Sequence, residues 1–412
     1  MTTQLTTKRA SQTLFTILMT VCCGAVLAPA LAQRPAQTKA RTRYQVSNLP
    51  GLGGTSNGGN SINDQTWVAG YARRADRNRH AALWRNSLLT DLGTLGGPNS
   101  SVNWNVKNTA GIIVGISQTA DPQLLGESWS SAAFYSTPNN VGYINLGFVW
   151  EQNLNQMRGL PNFPGGNNGF ATGANNLGQV VGWAENGVHD PNCCCTQVLQ
   201  FHPAMWTLGP DQIHELPLIS GDSSGAATAI NDNGQIVGIS GICDQAVGRH
   251  TAKHAVLWQN GAVTDIYPNP PAPWWNTPTA INQRGDVVGF AGDPAFVEGD
   301  VLHAFMWTRE DGIRQLKPLP NRSPTHVDSE AYGINEARQV VGVSCDADQV
   351  DCRAVIWDHG NTPTDLNDLK APGYSAVLSS AKDINNKGEI TGRAADPNTG
   401  VLTAYLAVPI SQ

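Results

Sequence analysis

Short apolar runs broken by turns of Asn, Asp and Gly recur along this chain. The clearest copy reads Ile230-Asn231-Asp232-Asn233-Gly234-Gln235-Ile236-Val237-Gly238-Ile239-Ser240. Two apolar runs flank residues that tolerate positive φ, which is the pattern of a tight hairpin. Related copies stand at Ile62–Ala72, Val106–Ser117, Ala174–Ala184, Ile281–Ala291, Ile334–Ser344 and Ile384–Ala394. The glycine of the second run falls at Gly70, Gly115, Gly182, Gly238, Gly289, Gly342 and Gly392, with spacings of 45, 67, 56, 51, 53 and 50. Periods of this size are those of propeller repeats.

Each period holds four strand candidates. The first ends in Ile-Asn or its equivalent, and the second is the β-branched run beside the glycine. The third is recognisable in His80-Ala81-Ala82-Leu83-Trp84, His254-Ala255-Val256-Leu257-Trp258 and His303-Ala304-Phe305-Met306-Trp307. Weaker third-strand copies are read at Ser131–Tyr135, His202–Trp206, Arg353–Trp357 and Thr403–Ala407. Fourth strands are read near Asp91-Leu92, Asn145-Leu146, Glu215-Leu216, Asp265-Ile266, Gln315-Leu316 and Asp365-Leu366. That makes seven first, second and third strands but six fourth strands. The missing one is Tyr44–Leu49, which with Gly51–Gly54 matches Thr90–Gly97. The expectation is an all-β chain: a seven-bladed β-propeller of four-stranded blades over 44–408, closed by the N-terminal strand pairing in the last blade. An open β-solenoid is the alternative, but it has no need of a displaced fourth strand.

Composition agrees with this reading. The 43 glycines suit an all-β protein with many tight turns. Met1–Ala32 reads as a secretory signal, with Lys8 and Arg9 ahead of apolar Leu14–Leu27 and Ala30-Leu31-Ala32 at the cleavage site. The apolar run is short for a membrane anchor, and Val21 before Cys22 makes a poor lipoprotein site. Residues 33–43 read as a disordered lead-in and 409–412 as a tail. Removing the signal takes the net charge from −6 to −8, because it carries two basic residues and no acid. An acidic surface gives no footprint for nucleic acid or anionic lipid. No membrane span is expected after cleavage, and a monomer is expected.

The repeat wording resembles the HAF-repeat family of extracellular bacterial proteins. The residues that carry the resemblance are His303-Ala304-Phe305-Met306-Trp307, Asp91–Gly97 and Ile230–Gly238, and it spans essentially Tyr44–Val408. It implies an exported, repeat-built protein. Members often end in a sorting tail with a membrane helix. Here the sequence runs out at Val408-Pro409-Ile410-Ser411-Gln412, so surface anchoring is not expected.

In a four-stranded blade the first-to-second and third-to-fourth turns share one face, and these are short throughout. The other loops are long and varied, as at Glu185–Leu199, Gly241–Lys253, Tyr267–Pro278 and Gly292–Val301. Variable loops on a rigid scaffold are where binding usually sits. Trp274 and Trp275, in a Pro-rich loop, are ligand-binding candidates, followed by Trp129, Phe163 and Phe296. The competing reading is that one of the paired tryptophans plugs a gap between blades while the other covers a channel mouth, since large aromatics are usually buried. Trp84, Trp206, Trp258, Trp307 and Trp357 recur once per blade and are read as packing. His80, His202, His254 and His303 also recur, spread too widely to share a metal, and are expected to bond a neighbouring loop.

The six cysteines after the signal are Cys193, Cys194, Cys195, Cys243, Cys345 and Cys352. In an exported chain an even number reads as disulfides. Cys345 and Cys352 can close one loop, worth about 2.5 kcal/mol. One of Cys193–Cys195 can reach Cys243 across blades. No metal motif, cofactor fingerprint or nucleophile motif is present, and the acids of the long loops read as a solvated rim. No metal, cofactor or catalytic residue is assigned. The leading functional reading is a binding module for a glycan, a peptide or a surface protein. A structural envelope or secreted-assembly component is second, and a hydrolase or lyase acting on an extracellular polymer is third.

Overall fold

The computed structural model describes residues 42–127, 142–193, 197–210, 212–243, 251–269, 274–293 and 301–410. The signal segment, Trp129, Phe296, Cys194 and Cys195 lie outside the described residues. The described chain is all-β apart from the single 3-10 turn Leu366–Leu369. Five sheets hold four antiparallel strands each, in up-and-down order. A sixth sheet joins two further quartets through one parallel bridge, Ser56 to Leu402.

We number the quartets as units from the N-terminus. Unit 1 comprises Gly53–Ile62, Val68–Arg74, Arg79–Arg85 and Leu88–Asp91. The first strands of units 2 to 6 are Gly96–Ser101, Gly169–Ala174, Ser224–Ile230, Trp275–Ile281 and His326–Ile334. Unit 7 comprises Val377–Ile384, Ile390–Ala395 and Leu402–Ile410, with Arg43–Asn48 antiparallel to the last of these. Tyr44 faces Pro409 and Val46 faces Ala407, so the strand from the start of the described chain is the fourth strand of unit 7, as its sequence suggests. Its alternation is the reason. Tyr44 and Val46 are buried in one core cluster with Ile356, Leu369 and Tyr405, while Gln45 and Ser47 are placed on the opposite face.

One unit differs from the sequence reading. The third strand of unit 2 is Tyr143–Glu151 and its fourth is Gln156–Gly159. Asn145-Leu146 therefore belongs to the third strand, not the fourth, and Ser131–Tyr135 lies outside the described residues. Trp150 pairs with Ile113 just as Trp206 pairs with Val180, so Gly147-Phe148-Val149-Trp150 takes the place of the His-Ala wording.

The repeated glycine has a steric cause. In six units the first strand slips register at an equivalent residue: Asn60, Thr172, Thr228, Thr279, Tyr332 and Lys382. This β-bulge accompanies a close approach between the first two strands. A Cβ on Gly70, Gly115, Gly182, Gly238, Gly289, Gly342 or Gly392 would collide with a first-strand carbonyl oxygen. The third-strand tryptophans pack between units, as expected of them. Trp84, Trp206 and Trp258 donate their indole N–H to the carbonyls of Pro50, Pro161 and Pro217 at 2.8, 2.8 and 2.6 Å. Each acceptor follows the fourth strand of the preceding unit.

The Asn of the Ile-Asn pair does two things. Its Oδ1 accepts backbone N–H groups of its own turn, as Asn231 does from Asn233 and Gln235. Its Nδ2 donates to the next unit, which composition alone does not reveal. Asn63 bonds the Asn108 carbonyl, Asn108 that of Ala174, and Asn175 that of Asn231. Asn231 bonds the carbonyl of Asn282, Asn282 that of Asn335, and Asn335 that of Asn385. Asn385 then bonds the carbonyl of Asn63, and the circuit returns to its start.

Candidate functional site

The aromatic candidates do not converge. Trp275 begins the first strand of unit 5, is 1% exposed and packs edge-on against Phe290 at 5.9 Å. It is core, in line with the competing reading of the tryptophan pair. Trp274 is half-buried and stacks on His303, with centroids 4.6 Å apart and planes 5° apart. Phe163, in the loop between units 2 and 3, packs on a different core cluster. The other recurrent histidines bond an acid of their own sheet, and His254 also pairs with Asp222 of the loop ahead of unit 4 at 3.8 Å. His80 meets Asp91 at 2.8 Å, His202 meets Glu215 at 2.6 Å and His254 meets Asp265 at 2.7 Å. The cause is register: the acid stands opposite the second residue after the His, as Asp91 does opposite Ala82. In unit 5 Gln315 takes that place, opposite Phe305, and His303 stacks on Trp274 instead.

Two disulfides are present, Cys193–Cys243 and Cys345–Cys352. The first ties the second-to-third loops of units 3 and 4, and the second closes the loop of unit 6. Among the described residues no group of His, Cys, Asp and Glu converges as a metal site.

Two constellations mimic active sites. Ser344, His326 and Asp351 form a hydrogen-bonded row, with His326 Nδ1 3.0 Å from Ser344 Oγ and Nε2 3.2 Å from Asp351 Oδ2. Ser344 is fully buried and its Oγ accepts the N–H of Leu319, as Ser117 and Ser240 accept those of Leu95 and Ile219. A serine that recurs in this role is structural, not a nucleophile. Glu127 and Glu185 form a buried carboxylate pair bridged by the Asn168 amide at 3.3 and 3.0 Å. Burial, then repulsion from Glu127, pushes Glu185 up to about 8. Both carboxylates are sealed from solvent and also accept backbone N–H groups, so they clasp loops rather than face a substrate.

The Asn circuit borders a cavity of about 190 Å³ at the short-turn end of the first strands. Its acids are already engaged. Asp232 caps the N–H of Asn176 at 2.8 Å, Glu336 that of Gln283 at 2.7 Å and Asp64 that of Asn386 at 2.8 Å. Unit 2 closes the inner side of this cavity. Past Ser101 its chain leaves the sheet, and Lys107 reaches the carbonyls of Ile334 and Ile384, each at 2.7 Å, and the buried Asp383 at 2.9 Å. Asn105 donates to the Tyr332 carbonyl at 2.7 Å.

The more informative site lies at the bulges. In units 3, 4 and 5 the bulged residue is Thr172, Thr228 or Thr279, whose hydroxyl is spent on backbone carbonyls. In unit 1 it is Asn60, which bonds the Val102 carbonyl. Units 6 and 7 replace it with Tyr332 and Lys382. The Lys382 ammonium stands 3.3 Å from the centroid of the Tyr332 ring, and the Tyr332 hydroxyl donates to Glu330 at 2.7 Å. The residue after the repeated glycine varies as well, and is Phe290 and Val343 in units 5 and 6. It is Ile116, Trp183 and Ile239 in units 2 to 4, which share an apolar cluster with half-buried Trp104. It is Arg393 in unit 7 and Tyr71 in unit 1. Arg79 lies over the Tyr71 ring at 4.1 Å, and Ser56 Oγ is 3.5 Å from its hydroxyl. Gly58 makes room: a Cβ there would come 2.8 Å from Tyr71 Cε1 and 3.2 Å from Arg393 Cδ.

The charges here perturb one another. Burial, then the Arg393 guanidinium, presses the Lys382 ammonium down to about 7, against the pull of Glu330. Burial would raise the Tyr71 phenol, but Arg393, Arg79 and its hydrogen bonds bring it below its ordinary value. None of these residues was singled out by sequence. The signal was there: three residues before the turn Asn, three of the units read Thr, while units 6 and 7 read Tyr332 and Lys382.

No family model and no curated protein matches the sequence. Solved structures with a similar chain path include oligogalacturonate lyase from Vibrio parahaemolyticus, at TM-score 0.49 and 10% identity over 89% of this chain and 97% of that one. The uncomplexed Pyrococcus horikoshii acylaminoacyl peptidase gives 0.48 and 8% over 90% of this chain and 52% of its own, so this chain spans about half the peptidase's length. Trypanosoma rangeli sialidase gives 0.39 and 7% over 89% and 59%. At these identities and scores the likeness concerns the path of the chain and says nothing of its chemistry.

Proposed function

We propose that this chain is an exported, closed seven-bladed β-propeller of the HAF-repeat kind that works as a binding module. Its site is the group around Tyr332 and Lys382, together with the long-loop face to which Tyr71 and Arg79 lead. The return of the Asn circuit from Asn385 to Asn63 supports closure. Two disulfides fit an oxidising compartment, and no helix among the described residues is long and apolar enough to cross a membrane. The observation that carries the binding reading is the broken repeat. A position spent on packing in four units carries two chemically distinct side chains in two adjoining ones. A repeat departs from its structural rule where something other than structure is required.

The test restores the rule. The double variant Tyr332→Thr, Lys382→Thr gives units 6 and 7 the residue of units 3 to 5. It is expected to fold with an unchanged circular dichroism spectrum and to lose retention on immobilised cell-wall polysaccharide and on a glycan array. Retention equal to wild type on every surface that wild type binds, or no wild-type retention on any of them, overturns the reading.

A further inference from the structure

Resting on that binding reading, we propose that the site takes the oxyanion, a carboxylate or a phosphate group, of a soluble ligand, held between Arg393 and Lys382. The first ground is charge pairing. Several other half-buried cations of this chain meet an acid, while Arg85 and Lys370 lie over the Trp67 and Tyr374 rings. Lys107 pairs with Asp383 at 2.9 Å, Arg338 takes Asp286 through two bonds of 2.8 and 2.9 Å, and Arg158 meets Glu151 at 3.2 Å. Arg393 and Lys382 are both half-buried, and neither makes an ion pair with a described carboxylate. They stand on paired strands, Arg393 opposite Ser380 and Lys382 at the neighbouring bulge, and the Arg393 charge disfavours that of Lys382. Glu330, whose charge favours the Lys382 ammonium, already accepts the Tyr332 hydroxyl.

Desolvating like charges side by side is costly unless an anion joins them. Lys382 rests on the face of Tyr332, a weaker partner than a carboxylate. The second ground is shape. A guanidinium offers a planar fork to two oxygens of one group, and an ammonium offers a point charge beside it. The Tyr71 hydroxyl, already bonded to Arg393, gives a neutral donor next to the fork. The β-bulge and Gly58 hold these groups on sheet backbone rather than on loops.

The experiment follows the ¹⁵N signal of Lys382 Nζ through a pH titration, assigned by its loss in Lys382→Met. It is run in chloride, inorganic phosphate and sodium glucuronate, with glucose as the neutral control. A bound oxyanion should raise the Lys382 midpoint by at least one pH unit, and calorimetry should show affinity increasing as pH falls through 7. Arg393→Met should weaken binding at least tenfold. Arg393→Lys, which keeps the charge without the fork, should fall between and covers the case where the methionine variant fails to fold. A shift with glucuronate alone identifies a carboxylate ligand, and a shift with phosphate alone a phosphoryl ligand. The same titration curve in all four media, or unchanged affinity in both Arg393 variants, overturns the proposal. Retention of a neutral glycan that the threonine double variant abolishes, with Lys382 unmoved by either anion, refutes the oxyanion and leaves the binding module standing.

Discussion

Asn231→Asp exchanges one NH₂ group for oxygen at the centre of the repeat. Asn231 is 2% exposed, and its Nδ2 donates to the Asn282 carbonyl at 2.9 Å and to Gln235 Oε1 at 2.7 Å. Its Oδ1 accepts from Asn233 and Gln235, and aspartate keeps those two bonds. Rotation of the Gln235 amide can repair the second lost bond. The Asn282 carbonyl cannot be repaired, since a carboxylate offers it no proton. A lost bond of about 1 kcal/mol and a stranded buried acceptor of about 1–3 kcal/mol make roughly 2–4 kcal/mol at neutral pH. An unfolding entropy of about 2.1 cal/mol/K per residue over the described domain converts this to a melting drop of about 3–5 °C.

The sign with pH follows. The introduced carboxyl is buried against an oxygen, so its folded pKa lies above its unfolded value of about 3.9. Below that unfolded value it is protonated in both states, and its O–H can donate to the Asn282 carbonyl. The defect therefore opens as pH rises from about 4 through the raised pKa. Differential scanning calorimetry at pH 4 and 7.5 checks this, with Asn233→Asp, on an exposed position of the same turn, as control. A variant within about 0.5 kcal/mol of wild type at pH 7.5, or an equal loss at both pH values, refutes the structural role given to the Asn circuit.

Gly238→Ala places a methyl against the Ala226 carbonyl oxygen and should cost about 3 kcal/mol or more, or abolish soluble expression, read by urea midpoint against Gly234→Ala. Gly234 has open space but a φ of 71°, so its loss should stay near 1 kcal/mol. Glu185, raised to about 8, contributes stability that is full below its unfolded pKa and lost as pH rises through 8. Glu185→Gln should flatten the fall in urea midpoint between pH 5 and 9. An unchanged slope contradicts the buried pair. Trp84→Phe removes the donor to the Pro50 carbonyl at 2.8 Å and should cost about 1–3 kcal/mol by chemical denaturation.

Much of the fold was legible because its rules are local and repeated. The glycine after each β-branched run marks the second strand, since a first-strand carbonyl leaves no room for a Cβ there. Tyr44-Gln45-Val46 announces a half-buried strand by its alternation. Unit 2 was misread because its third strand, around Phe148 and Trp150, lacks the His-Ala wording and follows a long insertion. The site was missed for a different reason. Trp274 and Trp275 stood out by residue type, yet Trp275 serves the core. Tyr332 and Lys382 are ordinary residues whose meaning comes from being compared with Thr172, Thr228 and Thr279 at the same offset. That Arg393 and Tyr71 meet depends on pairing between the two ends of the described chain, which no local pattern encodes.

Closure of that pairing is tested most directly by a cysteine pair. Ser47 and Leu406 are direct partners between Arg43–Asn48 and Leu402–Ile410. In the variant Ser47→Cys, Leu406→Cys, a non-reducing digest read by mass spectrometry should yield one peptide pair linking these two segments within a monomeric chain. Recovery of the two segments as separate peptides, with the remaining disulfides intact, contradicts the closed arrangement.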